Sequence, residues 1–128
     1  MPQARRPTRS PPVPFDPGAW SEDMARASAA AREVALVARK DFETAGVPMD
    51  RVKPCDPEGA GGTALDHCVK VYLPAPAGPH GMVFEIVRIR GRLRLIYAAF
   101  GLRHPPRESR QPSVYEVAHR PLIASEDR

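Results

Sequence analysis

VFEIVRIRGRLRLIY, residues 83–97, is the stretch that decides the fold. On either side of Gly91, β-branched and aromatic residues alternate with charged ones at the period of two that a half-buried strand requires. Met82–Arg88 and Arg92–Phe100 are therefore expected to form an antiparallel hairpin turning at Gly91. Two registers fit. A three-residue loop, Ile89-Arg90-Gly91, with the glycine left-handed, pairs Arg88 with Arg92 and Ile86 with Arg94. One face then carries Phe84, Ile86, Arg88, Arg92, Arg94, Ile96, Ala98 and Phe100. The other carries Val83, Glu85, Val87, Leu93, Leu95, Tyr97 and Ala99, and it suits the core apart from Glu85. A two-residue loop instead sets Arg88 opposite Leu93 and divides the arginines between the faces. In the first register like charges face each other at a cost of up to ~1 kcal/mol, which an anion would relieve.

Outward from the hairpin, Leu65–Leu73 alternates cleanly. Leu65, His67, Val69, Val71 and Leu73 fall on one face; Asp66, Cys68, Lys70 and Tyr72 fall on the other. Pro- and Gly-rich connectors flank it at 47–63 and 74–81. Further back, Asp16-Pro17 reads as an N-cap and first helical residue, and Gly46 with Pro48 as a stop. Between them Trp20, Met24, Ala27, Ala31, Val34, Ala38, Phe42 and Ala45 make one apolar stripe, so a single helix over 17–45 is expected. Beyond a loop at 103–112, Ser113–Arg120 alternates as a last strand ahead of Pro121. The fold class is α+β, one long N-terminal helix packed on a roughly four-stranded antiparallel sheet. Residues 1–15, with five prolines and three arginines, read as a disordered arm. Residues 16–123 make a single α+β domain and 124–128 a tail.

The chain has 128 residues with a net charge of +4, and that charge is unevenly spread. Residues 82–120 hold eight arginines against Glu85, Glu108 and Glu116, whereas 16–46 hold six acids against four bases. Such a distribution favours polyanionic partners, RNA or DNA, through Arg88, Arg92, Arg94, Arg103 and Arg120. No apolar run reaches the ~18–20 residues of a membrane span, and Met-Pro-Gln-Ala-Arg-Arg-Pro has no secretory apolar region behind it. Two cysteines do not make a disulfide framework, so a cytoplasmic protein with no membrane partner is expected.

Most site chemistries fail on spacing. His67 and Cys68 are neighbours in a strand and point to opposite faces, so no metal site is expected. Gly59-Ala-Gly-Gly62 leads into a strand rather than a phosphate-binding helix, and no nucleophile motif is present. No cofactor is implied. In the expected last strand Tyr115, Val117 and His119 share a face, with Arg120 following. His119 and Tyr115 are the catalytic candidates, for metal-independent RNA cleavage needing only acid, base and electrostatic stabilisation.

The hairpin VFEIVRIRGRLRLIY (83–97) and the charged segment VYEVAHR (114–120) together resemble the C-terminal half of RelE/ParE-like toxins. Arg94 falls on the family's strand arginine, Tyr97 on its tyrosine, and His119 on a final strand that contributes a catalytic group in some ribonuclease members. The resemblance implies a small basic toxin acting on ribosome-bound mRNA or on gyrase, neutralised by an antitoxin protein. Two other functions suit the same residues: a non-enzymatic nucleic-acid-binding accessory protein, and an interaction module docking through the Ala-rich helix.

Overall fold

Asp16 starts the first helix as its sequence promises, accepting a hydrogen bond from the Ala19 amide at 2.8 Å, with Pro17 next in line. The computed structural model describes residues 8–55, 67–74, 79–103, 105, 112–114 and 116–118. The first helix, α1 (Pro17–Arg26), does not run on to Ala45. Ala27 is extended, and Ser28 opens a second helix, α2 (Ala29–Ala45), by accepting from the Ala31 amide at 3.2 Å. The single long helix is thus corrected to two, of 10 and 17 residues. The cause is the serine hydroxyl, which competes for backbone amides and favours a helix start over a helix interior. The apolar spacing ran through that break without marking it. Of the stripe, Trp20, Ala31, Ala38 and Phe42 are buried, joined by Ala35 from α2.

Gly46 ends α2 in the left-handed region, φ 80°. A Cβ there would overlap the Ser10 carbonyl, because the N-terminal segment crosses directly above it. Ser10 donates its amide to Val47 O (2.9 Å) and Val13 to Phe42 O (3.0 Å), while Thr8 O accepts from Met49 N (2.8 Å). Arg9 reaches Asp41 at 3.1 Å and Gly46 O at 2.8 Å. Val13 and Phe15 lie in the core. Residues 8–15, expected in a disordered arm, are therefore a strap. Two apolar anchors outweigh a composition that otherwise reads as solvated, and residues 1–7 lie outside the described set.

The sheet is antiparallel in the order β1 (Lys53–Pro54), β2 (Cys68–Leu73), β3 (His80–Ile89), β4 (Arg92–Leu102). The hairpin takes the shorter loop. Arg90 and Gly91 both have positive φ, 53° and 78°, and Ile89 pairs with Arg92, Arg88 with Leu93, Val87 with Arg94. Both central residues at positive φ is the turn whose twist matches that of the strands. This slips β4 by one residue relative to the three-residue register, so the helices cover Phe84 and Ile86 of β3 with Leu95 and Tyr97 of β4. A bulge follows: Val83 pairs with Ala99 and Phe84 with Tyr97, leaving Ala98 without an opposite residue. The extra residue flips the parity of β4, so Tyr97 and Phe100 both face the helices while Ala98 and Ala99 both face away.

Of the expected last strand Ser113–Arg120, the described residues 113–114 and 116–118 form no strand. Val114 and Glu116–Ala118 are helical. Ser113 Oγ accepts from Glu116 N (3.2 Å) and Glu116 Oε1 from Ser113 N (3.3 Å), a reciprocal capping box that the alternation of apolar residues had masked. Val114, Val117 and Ala118 pack with Val83, Ala98 and Ala99 on the outer side of the sheet. The short β1, inside the expected 47–63 connector, takes the fourth place on the opposite edge. No helix among the described residues is long and apolar enough to cross a membrane.

Candidate nucleic-acid interface

The face of the sheet turned away from α1 and α2 gathers positive charge around one aromatic ring. Tyr72 projects from β2 on that face, and Lys70 lies two residues before it. Lys53 of β1 is the direct cross-strand partner of Lys70 and so points the same way. Arg103 returns from the end of β4. Its guanidinium carbon sits 4.0 Å from the Tyr72 ring centroid, with Lys70 Nζ at 5.4 Å and Lys53 Nζ at 5.5 Å. All three lie within cation–π range of a ring that remains 39% exposed. Arg51 adds a longer contact, 3.4 Å, to the Tyr72 carbonyl.

Gly81 makes this packing fit. It pairs with Tyr72, and a Cβ there would come within 3.2 Å of the Arg103 side chain, so its lack of one lets the arginine lie flat across β3. Among the described residues the Arg103 Nε has neither a hydrogen-bond partner nor solvent. Partial burial pushes the Tyr72 phenol up. The hydrogen bond and charge of Lys70, then the charge of Arg103, outweigh that push and hold it below the ordinary tyrosine value. Lys53 facing Lys70 across the strands is a like-charge pair, which costs up to ~1 kcal/mol. An anion placed between them would offset that cost.

The arginines of the hairpin divide. Arg92 and Arg94 lie opposite Ile89 and Val87 and share the outer face with Lys70 and Tyr72. Arg88, opposite Leu93, turns to the helix side at the exposed tip. The three-arginine cluster is therefore corrected to a pair, because the two-residue turn shifts the register. Val87 and Gly81, the partners of Arg94 and Tyr72, stand six positions apart along β3, roughly 20 Å at the rise of a strand. Glu85 lies between them on the same face. His119, Tyr115 and Arg120 lie outside the described residues, and the strand register that put Tyr115, Val117 and His119 on one face is replaced by a helical one at 114 and 116–118. Lys53, Lys70 and Tyr72 were missed, although Lys70 and Tyr72 stood on the polar face of the alternating strand 65–73.

A concavity of about 340 Å³ opens beside α1, bordered by Asp23, Arg26, Ser28, His80 and Phe100. Its carboxylate is committed to the fold. Asp23 Oδ1 accepts from Arg26 at 2.6 Å, and Oδ2 accepts from the Tyr97 hydroxyl and from Phe100 N at 3.2 Å. The ring of His80 stacks on Phe100 at 5.3 Å. The charges of Asp23 and Arg26 cancel, so this cleft offers an anion little. Among the described residues no three His, Cys, Asp or Glu side chains converge as a metal site would require. Comparison of the chain with protein-family models, with curated protein sequences and with solved structures finds no match in any of the three.

Proposed function

We propose that this protein binds nucleic acid through its phosphodiester backbone, at two places on the outer side of the sheet separated by the packed Val114, Val117 and Ala118. The observation that carries this reading is the convergence of Lys53, Lys70 and Arg103 on Tyr72, with Arg92 and Arg94 on the same face about 20 Å away. Two cationic centres so far apart suit an extended polyanion better than a small anion, which either centre would hold alone. Lys70, Arg92 and Arg94 come from paired strands of the sheet, which sets the spacing between the two centres. Cation contacts to phosphate carry no sequence information, so binding through them is sequence-tolerant. Catalysis of the kind the RelE/ParE resemblance implies would draw on His119, with Tyr115 as the second candidate from the sequence, and the binding reading stands without them.

The test is fluorescence anisotropy with labelled single-stranded RNA and DNA of about 20 nucleotides, titrated with salt from about 50 to 200 mM. Replacing Lys53, Lys70 and Arg103 together by Ala is expected to weaken binding about tenfold or more and to lower the salt slope by about 2, at ~0.7 per lost phosphate contact. Arg92→Ala with Arg94→Ala is expected to act in the same direction. Arg88→Ala, on the opposite face, is expected to leave affinity unchanged. Folded protein that binds neither strand near 50 mM salt, or that loses as much affinity through Arg88 as through Arg94, would retire the reading.

A further inference from the structure

We propose that Cys55 and Cys68 form a cross-strand dithiol that closes to an intramolecular disulfide with small disulfide oxidants such as glutathione disulfide, pinning β1 to β2. The register carries the inference. Lys53 pairs with Lys70 and Pro54 with Val69, so the next antiparallel pair is Cys55 with Cys68. The backbone agrees, since the Cys55 amide donates to the Cys68 carbonyl at 3.3 Å. Residues directly opposite in a hydrogen-bonded antiparallel pair have Cα atoms ~5.5 Å apart, inside the ~4.4–6.8 Å range of disulfides. Their side chains leave the same face, and both belong to the small cluster with Val83, Ala98 and Ala99. Closing the bond therefore takes side-chain rotation and little backbone movement. Both residues are thiols in this structure.

The chemistry balances with one equivalent of oxidant. One cysteine, as its thiolate, attacks a sulfur of glutathione disulfide and expels a glutathione thiolate, leaving a mixed disulfide. The second cysteine, deprotonated, attacks the protein sulfur of that bond and expels the second glutathione. The two protein thiols lose two protons and two electrons, and glutathione disulfide is reduced to two glutathiones. Burial sets the pace. It pushes the Cys55 thiol up to about 11, against a smaller opposing pull from Lys70, so few thiolates are present near neutrality. Access comes through β1, which is only two residues long and is the weakest-held edge of the sheet. Once closed, the bridge fixes Lys53 opposite Lys70 and removes that opening.

The experiment is anaerobic incubation of the native full-length chain with glutathione disulfide and glutathione at a series of ratios. It is followed by acid quenching, intact mass and non-reducing peptide mapping. The expected result is loss of two hydrogens from the monomer, one peptide linking Cys55 to Cys68, and a higher urea midpoint than that of the reduced protein. Cys55→Ala and Cys68→Ala each stop at a single glutathione adduct. Stable adducts on both cysteines of the wild type, disulfide-linked dimers, or a bridge that appears only in protein unfolded with urea would overturn the proposal. Thiols that stay unreacted in the folded wild type while the unfolded control is consumed would overturn it equally.

Discussion

Asp23 is the charged residue most tightly bound into this fold, and removing it should measure what holds α1 to the sheet. Its side chain is fully buried, and Asp23→Ala strands three donors at once. The Arg26 guanidinium is about one-third exposed and can turn to water at little cost. The Tyr97 hydroxyl and the Phe100 amide cannot, and each buried donor left without an acceptor costs ~1–3 kcal/mol. Losing a buried charge recovers part of its desolvation penalty, so the net loss should be about 3–4 kcal/mol. That is a large share of the ~5–15 kcal/mol typical of a domain. Tyr97→Phe alone should cost about 1–2 kcal/mol by removing one donor from the carboxylate. The double variant should lose less than the two singles added, by ~1 kcal/mol or more, because the hydroxyl stranded by the first change is absent in the second. Urea unfolding followed by circular dichroism, with equal m-values across the four proteins, gives the cycle. A loss below ~1 kcal/mol for Asp23→Ala, with strict additivity, would refute the view that this carboxylate anchors the helix.

Three further outcomes follow from the backbone and the Tyr72 cluster. Gly46→Ala should cost at least about 2 kcal/mol in the same unfolding assay, since it combines a left-handed backbone with overlap on the Ser10 carbonyl. Arg90→Gly should stabilise the hairpin by about 0.5–1 kcal/mol, the ~1–2 kcal/mol relief of a left-handed side chain less the extra unfolded entropy of glycine. Ultraviolet titration of the native protein should show one tyrosine ionising below ~10, and Tyr72→Phe should abolish that early phase. Because the folded phenol lies below its unfolded value, this group adds stability that is full above about 10 and is lost as the pH falls through the folded value.

What the sequence revealed followed its strongest periodicities. The hairpin at 83–97, the strand Cys68–Leu73 within the alternating run, the cap at Asp16 and the stop at Gly46 are all where alternation, capping residues and glycine place them. The α+β class and three of the four antiparallel strands follow from these, while the fourth, β1, lies in a stretch that reads as a connector. Three features were hidden because a single side-chain hydrogen bond or a single dihedral decides them. Ser28 breaks the helix by one hydroxyl contact, and Ser113 with Glu116 starts a helical turn inside a run that alternates like a strand. Arg90 accepts a conformation normally left to glycine or asparagine, which moves the whole register of β4. The candidate site suffered most from that shift. The arginines that looked like one cluster are divided, and the cluster that exists draws on Lys53 and Arg103, far from Tyr72 in sequence. Pairing across strands brings such residues together, and no local pattern announces it.

The strap at residues 8–15 also constrains the order in which this chain can fold. Pro14 accepts from the amide of Tyr97, and Asp23 meets Tyr97 and Phe100 across separations of 74 and 77 residues. Thr8–Val13 can dock on the end of α2 as soon as it is made, but Pro14 and Asp23 cannot reach their β4 partners until that strand has been made and paired. Contacts of such long range raise the contact order and slow the search, because loop closure must precede the contacts that stabilise it. Phe15, which stacks on Tyr97, stays uncovered until then, and α1 has no sheet to rest on. The hairpin of β3 and β4, by contrast, needs only its own neighbours. Packing of α1 against the sheet should therefore be a late step that follows formation of the β3–β4 hairpin.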